Sequence, residues 1–538
     1  SWVRSQAIPP RKSSLQENLY SYESRNYNFL KTGRISSEKE FGKGLAACVV
    51  ERAFDPEACA KAQREVLTLS VNAMAKWLQK RSGEKKMGLI KEFSTPHEME
   101  LDINRFKLMV KADAKVKLDA SCLSKHPPAQ NIMFHDKYIN ALFSPIFDEF
   151  KNRLMSSLAD NIVFFTEMSN SDLAEIVRRK IGDEDVYHVA ELDISKFDKS
   201  QDGYVKAFEE EMYRMFGFDP ELLEMWMRGE KFGHAKTLDG SLRFNVINQR
   251  RSGASNTWIG NTLVTLSILC MYYDIRKFPL ILVSGDDSLI YSYKPIKNYA
   301  TNVCNEIGFE MKFMQNAVPY FCSKFLVQTG FRTVYVPDPY KLLVKLGGFQ
   351  KHLTPKELFE VFVSFRDLTV EFDDQIVLER LALLVQKKYE FESGTTLPAL
   401  CSIHCVRSNF LSFCKLFPHY FGFSYLSKFQ VYAFSKIPNS VVRLFNGSDS
   451  GYNYIGTVFG EFDNPQEPWE SANDVFKGVK FSRRSGGRNS KNFRRKLQHL
   501  PDQFKSSGKD VLRADRAKGF YMRSKYERKQ ERQSIFEG

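Results

Sequence analysis

The chain has 538 residues, 43% hydrophobic and 26% charged, which excludes a collagen-like or wholly disordered protein and allows roughly three ordinary domains or one large core built of subdomains. The formal net charge is +14, yet 19 Lys and Arg against 6 Asp and Glu lie between Lys477 and Gly538, so the 476 residues before them carry only +1. The 45 Phe and 23 Tyr promise large buried aromatic clusters, with some rings left over for stacking.

Residues 1–45 are polar, contain Pro9-Pro10 and show no clear periodicity, so they read as an N-terminal extension. The first residue is Ser1 rather than Met, which points to a processed product or to one part of a larger translation unit. No signal peptide is visible at this end. The longest apolar run, Leu263 to Tyr273, is too short to span a bilayer and is followed by Asp274, Arg276 and Lys277. There is no internal repeat and no P-loop, since Gly508-Lys509 is followed by Asp510.

Further along, Lys111, Lys115 and Lys117 alternate with Ala112, Ala114 and Val116, which on a strand would set three ammonium groups on one face. Val186 to Leu192 predicts a short strand ending in Asp193, with Asp198 in the loop that follows. Tyr204, Phe208, Met212 and Met215 then recur at helical spacing, and Gly217 stops the helix. A carboxylate at a strand's end facing a crevice is well placed to hold a cation, while Asp198 or Ser200 capping the helix is the plainer reading.

Gln249 to Thr262 opens with Arg250-Arg251, makes a flexible loop at Ser252-Gly253 and runs into an apolar helix that continues through Tyr273. Thr257 and Asn261 are four apart and share one face of that helix, which suggests a ligand with hydroxyls or phosphates at that end; capping is the alternative for Thr257. Arg250 and Arg251 either contact phosphates near this loop or pair with an acid. Two apolar β runs from Phe278 to Tyr291 flank Ser-Gly-Asp-Asp, predicting a hairpin with Asp286 and Asp287 at its tip. Adjacent carboxylates repel unless a cation or proton neutralises them.

Phe321 to Phe325, followed by Leu326 to Val334, predicts a second hairpin turning at Thr329-Gly330. From about 354 to 445 apolar residues such as Leu358, Val361, Phe362 and Phe365 recur at helical spacing, and their aromatics read as core rather than as base-stacking platforms. Nine Cys are thinly spread and odd in number, so no disulfide framework follows and reduced thiols are expected. Cys401, His404, Cys405 and Cys414 lack paired zinc-ligand spacing, and the three cysteines read as thiols buried on an apolar helix. Asp463 to Pro468 marks the end of the folded part. The segment after it is too polar to fold alone and reads as a disordered basic arm suited to contact with RNA, a solvated tail or a targeting signal being the plainer readings.

Strand-Asp-x4-Asp, then Ser-Gly-x3-Thr-x3-Asn, then Gly-Asp-Asp in a hairpin is a specific ordered pattern. It resembles palm motifs A, B and C of viral RNA-dependent RNA polymerases, and the strings DISKFDKSQ, SGASNTWIGNT and SGDDSLIYS resemble plant-virus replicases of the alphavirus-like superfamily, in its bromovirus, tobamovirus and closterovirus branches. The resemblance covers roughly residues 105–350. It implies an α+β right-hand polymerase with fingers (46–183 and 231–252), an antiparallel-sheet palm (184–230 and 253–350), a helical thumb (351–470) and the basic tail (471–538).

By resemblance, Asp193, Asp286 and Asp287 hold two Mg²⁺ or Mn²⁺ ions for nucleotidyl transfer, and Lys312, in the motif D position, protonates pyrophosphate or is simply a surface lysine. Asp198, Ser252, Gly253, Thr257 and Asn261 match the nucleotide-binding and ribose-sensing positions. Lys111, Lys115 and Lys117 match the triphosphate channel of motif F, a solvated strand edge being the competing reading. Cys322, Ser323 and Lys324 match the primer grip of motif E, with Cys322 as a packed core residue the alternative. The implied partners are template and nascent RNA, ribonucleoside triphosphates and viral capping and helicase proteins, in the host cytoplasm at membranes reached only through those partners. A reverse transcriptase, which prefers dNTPs and usually has another residue in place of Gly285, and a non-catalytic RNA-binding protein are the rival functions.

Overall fold

In the computed structural model the described residues are 13–26, 36–93, 102–111, 128–182, 187–315, 318–347, 355–391, 394, 396–414 and 416. Lys115, Lys117 and the basic arm lie outside them. The contacts divide the chain into two units, parting between Tyr335 and Val336.

The first unit opens with helices. One of them, α1 (Glu38–Ala53), begins in a capping box in which Ser37 and Glu40 satisfy each other's backbone N–H groups. Then come β1 (Arg105–Val110), β2 (Asn131–Phe134), α2 (Lys137–Ser157), β3 (Ile162–Phe164) and α3 (Asn170–Ile181). Strand β4 (His188–Ile194) leads through the single turn α4 (Phe197–Ser200) to α5 (Gly203–Met215) and α6 (Pro220–Lys231). After β5 (Phe232–Thr237) and β6 (Arg243–Ile247) the chain enters α7 (Thr257–Tyr272), followed by β7 (Leu280–Ser284), β8 (Asp287–Ser292), β9 (Met311–Gln315), β10 (Tyr320–Phe321), β11 (Lys324–Gln328) and β12 (Thr333–Pro337).

Among the described residues three sheets result, ordered β2-β1-β5-β6, β3-β7-β8-β4-β9 and β10-β11-β12. The five-stranded sheet is central. It is antiparallel except at its edge, where β3 runs parallel to β7, so the sheet is mixed rather than antiparallel throughout as expected. Leu280 to Val283 are all fully buried because both faces are covered. Ile281, Val283 and Ile290 join the core that holds Leu263 and Val264 of α7, while Leu280, Leu282 and Leu289 pack with Leu173 and Val177 of α3. The expected aromatic cluster lies in the same core: Phe147 meets Trp226 at 4.9 Å and Tyr213 at 5.5 Å between ring centroids.

The described residues of the second unit are mainly helical, with segments Pro339–Gly347, Pro355–Leu368, Gln375–Tyr389, Thr396–Ser408 and Phe410–Cys414. Phe362 packs on Phe410 and Phe413 at 5.2 and 5.1 Å, so these aromatics are core. Cys401 and Cys405, expected to be buried, are exposed, and only Cys414 of the three is buried. The helix turns Cys401 and Cys405 to solvent while Leu400, Ile403 and Val406 take the interior. Among the described residues no helix is long and apolar enough to cross a membrane.

Candidate active site

The central sheet brings the acids together by register. Strand β4 pairs with β8 so that Leu192 faces Ser288; one step further along the same register, Asp193 comes level with Asp287. On its other side Asp193 pairs with Lys312 of β9, whose Nζ lies 4.0 Å from Asp193 Oδ2. Strands β7 and β8 form the expected hairpin, with Ser284 paired to Asp287 across a two-residue loop, Gly285-Asp286. Gly285 has φ +61°, which the first loop position of a type II′ turn needs and which a side chain at that position resists.

Helix α7 pins this loop from behind. Gly285 N donates to Thr262 Oγ1 at 2.9 Å, and Thr265 Oγ1 donates to Gly285 O at 2.7 Å. Trp258 Nε1 donates to Ser284 Oγ at 3.0 Å. Sequence reasoning passed over these hydroxyls. Their signal was visible, because Thr262 and Thr265 interrupt a helix that is apolar all round, where a hydroxyl needs a partner.

The half-buried Asp287 carboxyl is pushed up to about 7, first by burial and then by the like charge of Asp286, with smaller contributions from Glu191 and Asp193 and partial relief from a hydrogen bond to the Cys322 thiol. Among the described residues no three His, Cys, Asp or Glu side chains already converge as a metal-ion site. The donor set nonetheless suits a hard cation, because a positive ion would relieve the crowding that raises Asp287.

A second pair joins α7 to α4. Asn261 Nδ2 donates to Asp198 Oδ1 at 2.9 Å, joining residues 63 positions apart. Asp198 lies in α4 and does not cap α5; that role falls to Asp202, which accepts from Val205 N, so neither Asp198 nor Ser200 is the cap. Thr257 lies within 2.8 Å of the carbonyls of Arg251 and Ala254, and the N-cap position belongs to Asn256. Ser252 Oγ donates to Asn131 O at 3.1 Å, and Gly253 N donates to Met133 O at 2.8 Å. The Ser252 and Thr257 hydroxyls therefore give their hydrogens to main chain, leaving oxygen lone pairs for any ligand.

Several residues expected at RNA are turned inward. Arg250 and Arg251 are 1% and 0% exposed. Arg250 pairs with Glu209 and lies 3.7 Å from Glu230, while Arg251 donates to the carbonyls of Glu230, Gln249 and Val246. Neither guanidinium reaches a surface where a phosphate could sit: Arg250 takes the alternative of pairing with acids, and Arg251 is held by main-chain carbonyls. Lys324 is likewise buried, its Nζ 3.2 Å from Asn170 Oδ1 and over the rings of Phe165 and Tyr335. Cys322 and Ser323 form the tight turn between β10 and β11, both at positive φ, and of the five only Ser323 is exposed. The Cys322 thiol bonds to Asp287 and Ser284 and is held far from ionisation by burial, so it packs under the acids rather than facing RNA. Lys111 follows β1 and its backbone N–H bonds to Gln130 O.

A family model described as RNA dependent RNA polymerase matches residues 1–416, a longer stretch than the motifs alone marked out. The replicase polyprotein 1ab of Beet yellows virus (isolate Ukraine) is 57% identical over 418 residues, covering 78% of this chain and 14% of that protein. The methyltransferase/helicase/RNA-directed RNA polymerase of Raspberry bushy dwarf virus is 31% identical over 76% of this chain and 24% of its own length. The replicase large subunit of Tobacco mosaic virus (strain OM) is 32% identical over 67% and 22%. The chain thus spans about a seventh to a quarter of these relatives. With three acids at one end of the central sheet, a polymerase family model over residues 1–416 and replicases among its relatives, the chain belongs to the RNA dependent RNA polymerase family, among the alphavirus-like replicases of plant viruses.

Proposed function

We propose that the chain synthesises RNA on an RNA template from ribonucleoside triphosphates, releasing pyrophosphate, in replication and transcription of a positive-strand viral genome. The observation that carries this reading is the register that sets Asp193 beside the Gly285-Asp286-Asp287 turn, together with the Asp198–Asn261 pair that joins α4 to α7. Asp193, Asp286 and Asp287 would hold two Mg²⁺ or Mn²⁺ ions, hard cations suited to carboxylate oxygens. Such ions, when bound, activate the primer 3′-hydroxyl and neutralise the leaving pyrophosphate.

The chain's own groups then supply alignment. Lys312, at 64% exposure beside Asp193, would give a proton to the leaving group. Asp198 and Asn261 would read the ribose 2′-hydroxyl, and the ammonium groups of Lys111, Lys115 and Lys117 would attract the triphosphate. The first unit corresponds to fingers and palm and the helical second unit to the thumb, while the basic arm adds sequence-independent attraction to RNA. Capping and unwinding would come from companion replicase proteins or regions, in keeping with the printed name of the raspberry virus relative, and membrane contact in the host cytoplasm would be indirect.

Primer extension on an RNA template with Mg²⁺ and labelled NTPs tests this reading, comparing wild type with Asp286→Ala. Incorporation that vanishes in the variant is expected. Equal incorporation by both, or a preference for dNTPs, would overturn the assignment.

A further inference from the structure

Asn261 makes its contact with Asp198 through an amide that is itself held from behind. Its Oδ1 accepts from Gln201 Nε2 at 2.8 Å and from Arg250 Nε at 2.9 Å, while its Nδ2 donates to Asp198 Oδ1 at 2.9 Å. A guanidinium can only donate and a carboxylate can only accept, so the two ends of the amide are fixed independently and in the same sense. Turned over, the amide would set N–H against N–H and oxygen against oxygen.

The holding side is costly to build, which argues that orientation is its purpose. Lys206, Glu209, Glu230 and Arg250 have side chains at most 1% exposed. Lys206 bridges Glu209, at 2.9 Å, and Glu230; Arg250 is clamped by the same two acids. Held by both acids and 1% exposed, Arg250 cannot reach a phosphate and serves as a rigid donor. The helix makes room for it at Gly260, where a Cβ would come within 2.3 Å of Glu209 Oε1 and 2.6 Å of Arg250 Nη1. Gln201 is fully buried and gives its N–H to Asn261 even though its own Oε1 is left without a hydrogen-bond partner.

We propose that Gln201 and Arg250 are positioning residues for sugar selection: they lock the Asn261 amide so that its second N–H meets the nucleotide 2′-hydroxyl while its first holds Asp198. This rests on the polymerase reading of that pair. Selectivity then comes from a polar group that cannot turn away when the hydroxyl is missing, so a 2′-deoxynucleotide leaves it unpaired.

The test uses the full chain and measures kcat/KM for one NTP and for its 2′-deoxy analogue on a primed RNA template. Gln201→Met removes the donor without stranding a charge. Gln201→Glu keeps size and polarity, carries the test if the apolar variant does not fold, and offers an acceptor that invites the amide to turn over. The NTP-to-dNTP ratio is expected to fall about tenfold in Gln201→Met and further in Gln201→Glu, through loss on the NTP with the dNTP value little changed. An unchanged ratio, or equal losses on both substrates, overturns the proposal by reducing Gln201 to a packing residue. No incorporation by wild type would fail the polymerase reading itself, and the proposal with it.

Discussion

Two clusters of acids lie in the same unit and have opposite electrostatics. Around Glu209 and Glu230 every carboxylate meets Lys206 or Arg250, and Glu230 is held down to about 2 by these cations and Arg251 in spite of its burial. Around Asp287 the strongest influences are burial and like charges, and its carboxyl is pushed up to about 7. The first cluster is closed and the second open to a cation. The difference separates architecture from site: buried charges that compensate one another define a shape, whereas acids crowded without full compensation invite a ligand to finish the job.

The contrast can be broken most forcefully in the closed cluster. Arg250→Met leaves two buried carboxylates short of a partner and is expected to lower stability by about 3–5 kcal/mol in urea unfolding. A loss under 1 kcal/mol would mean the cluster is not closed in solution. Thr265→Val removes the hydroxyl that holds Gly285 O, for an expected cost of about 1 kcal/mol in stability and roughly tenfold in kcat, with KM for NTP little changed.

His135 offers a pH handle on the closed side. Burial, opposed by its bond to Ile103 O and by Glu230, holds its folded pKa at about 4. The unfolded chain takes up a proton near 6.5 that the folded protein refuses, so stability is full above that pH and falls as pH drops toward 4. Between pH 7.5 and 5.5 wild type should lose about 1.4 kcal/mol more than His135→Gln. Equal losses would show that His135 titrates freely. On the open side, Asp286→Asn relieves repulsion, and melting at neutral pH should show stability unchanged or raised by up to about 1 kcal/mol. A drop comparable to that of Arg250→Met would erase the distinction.

Much of the site was legible because its signals are local. Strand and turn chemistry foretold a hairpin presenting Asp286 and Asp287, and periodicity foretold the helix that ends before Gly217. Spacing alone grouped Thr257 with Asn261, yet the structure sends the Thr257 hydroxyl back to loop carbonyls and Asn261 to Asp198. For the arginines both readings, phosphate contact or an acid partner, stayed open for a physical reason: Glu209 and Glu230 lie 41 and 20 residues before Arg250, and which cation meets which acid depends on how α5, α6 and α7 cross. Gln201 was hidden in the same way, its role set by a contact across 60 residues.

The most direct measurement follows free Mn²⁺ by electron paramagnetic resonance while the full chain is titrated at neutral pH, in wild type and in a chain carrying both Asp193→Asn and Asp286→Asn. Saturable uptake by wild type that is lost in the double variant is the expected result. Equal uptake by the two would place the cation elsewhere and contradict the assignment of the open acidic cluster as the metal site.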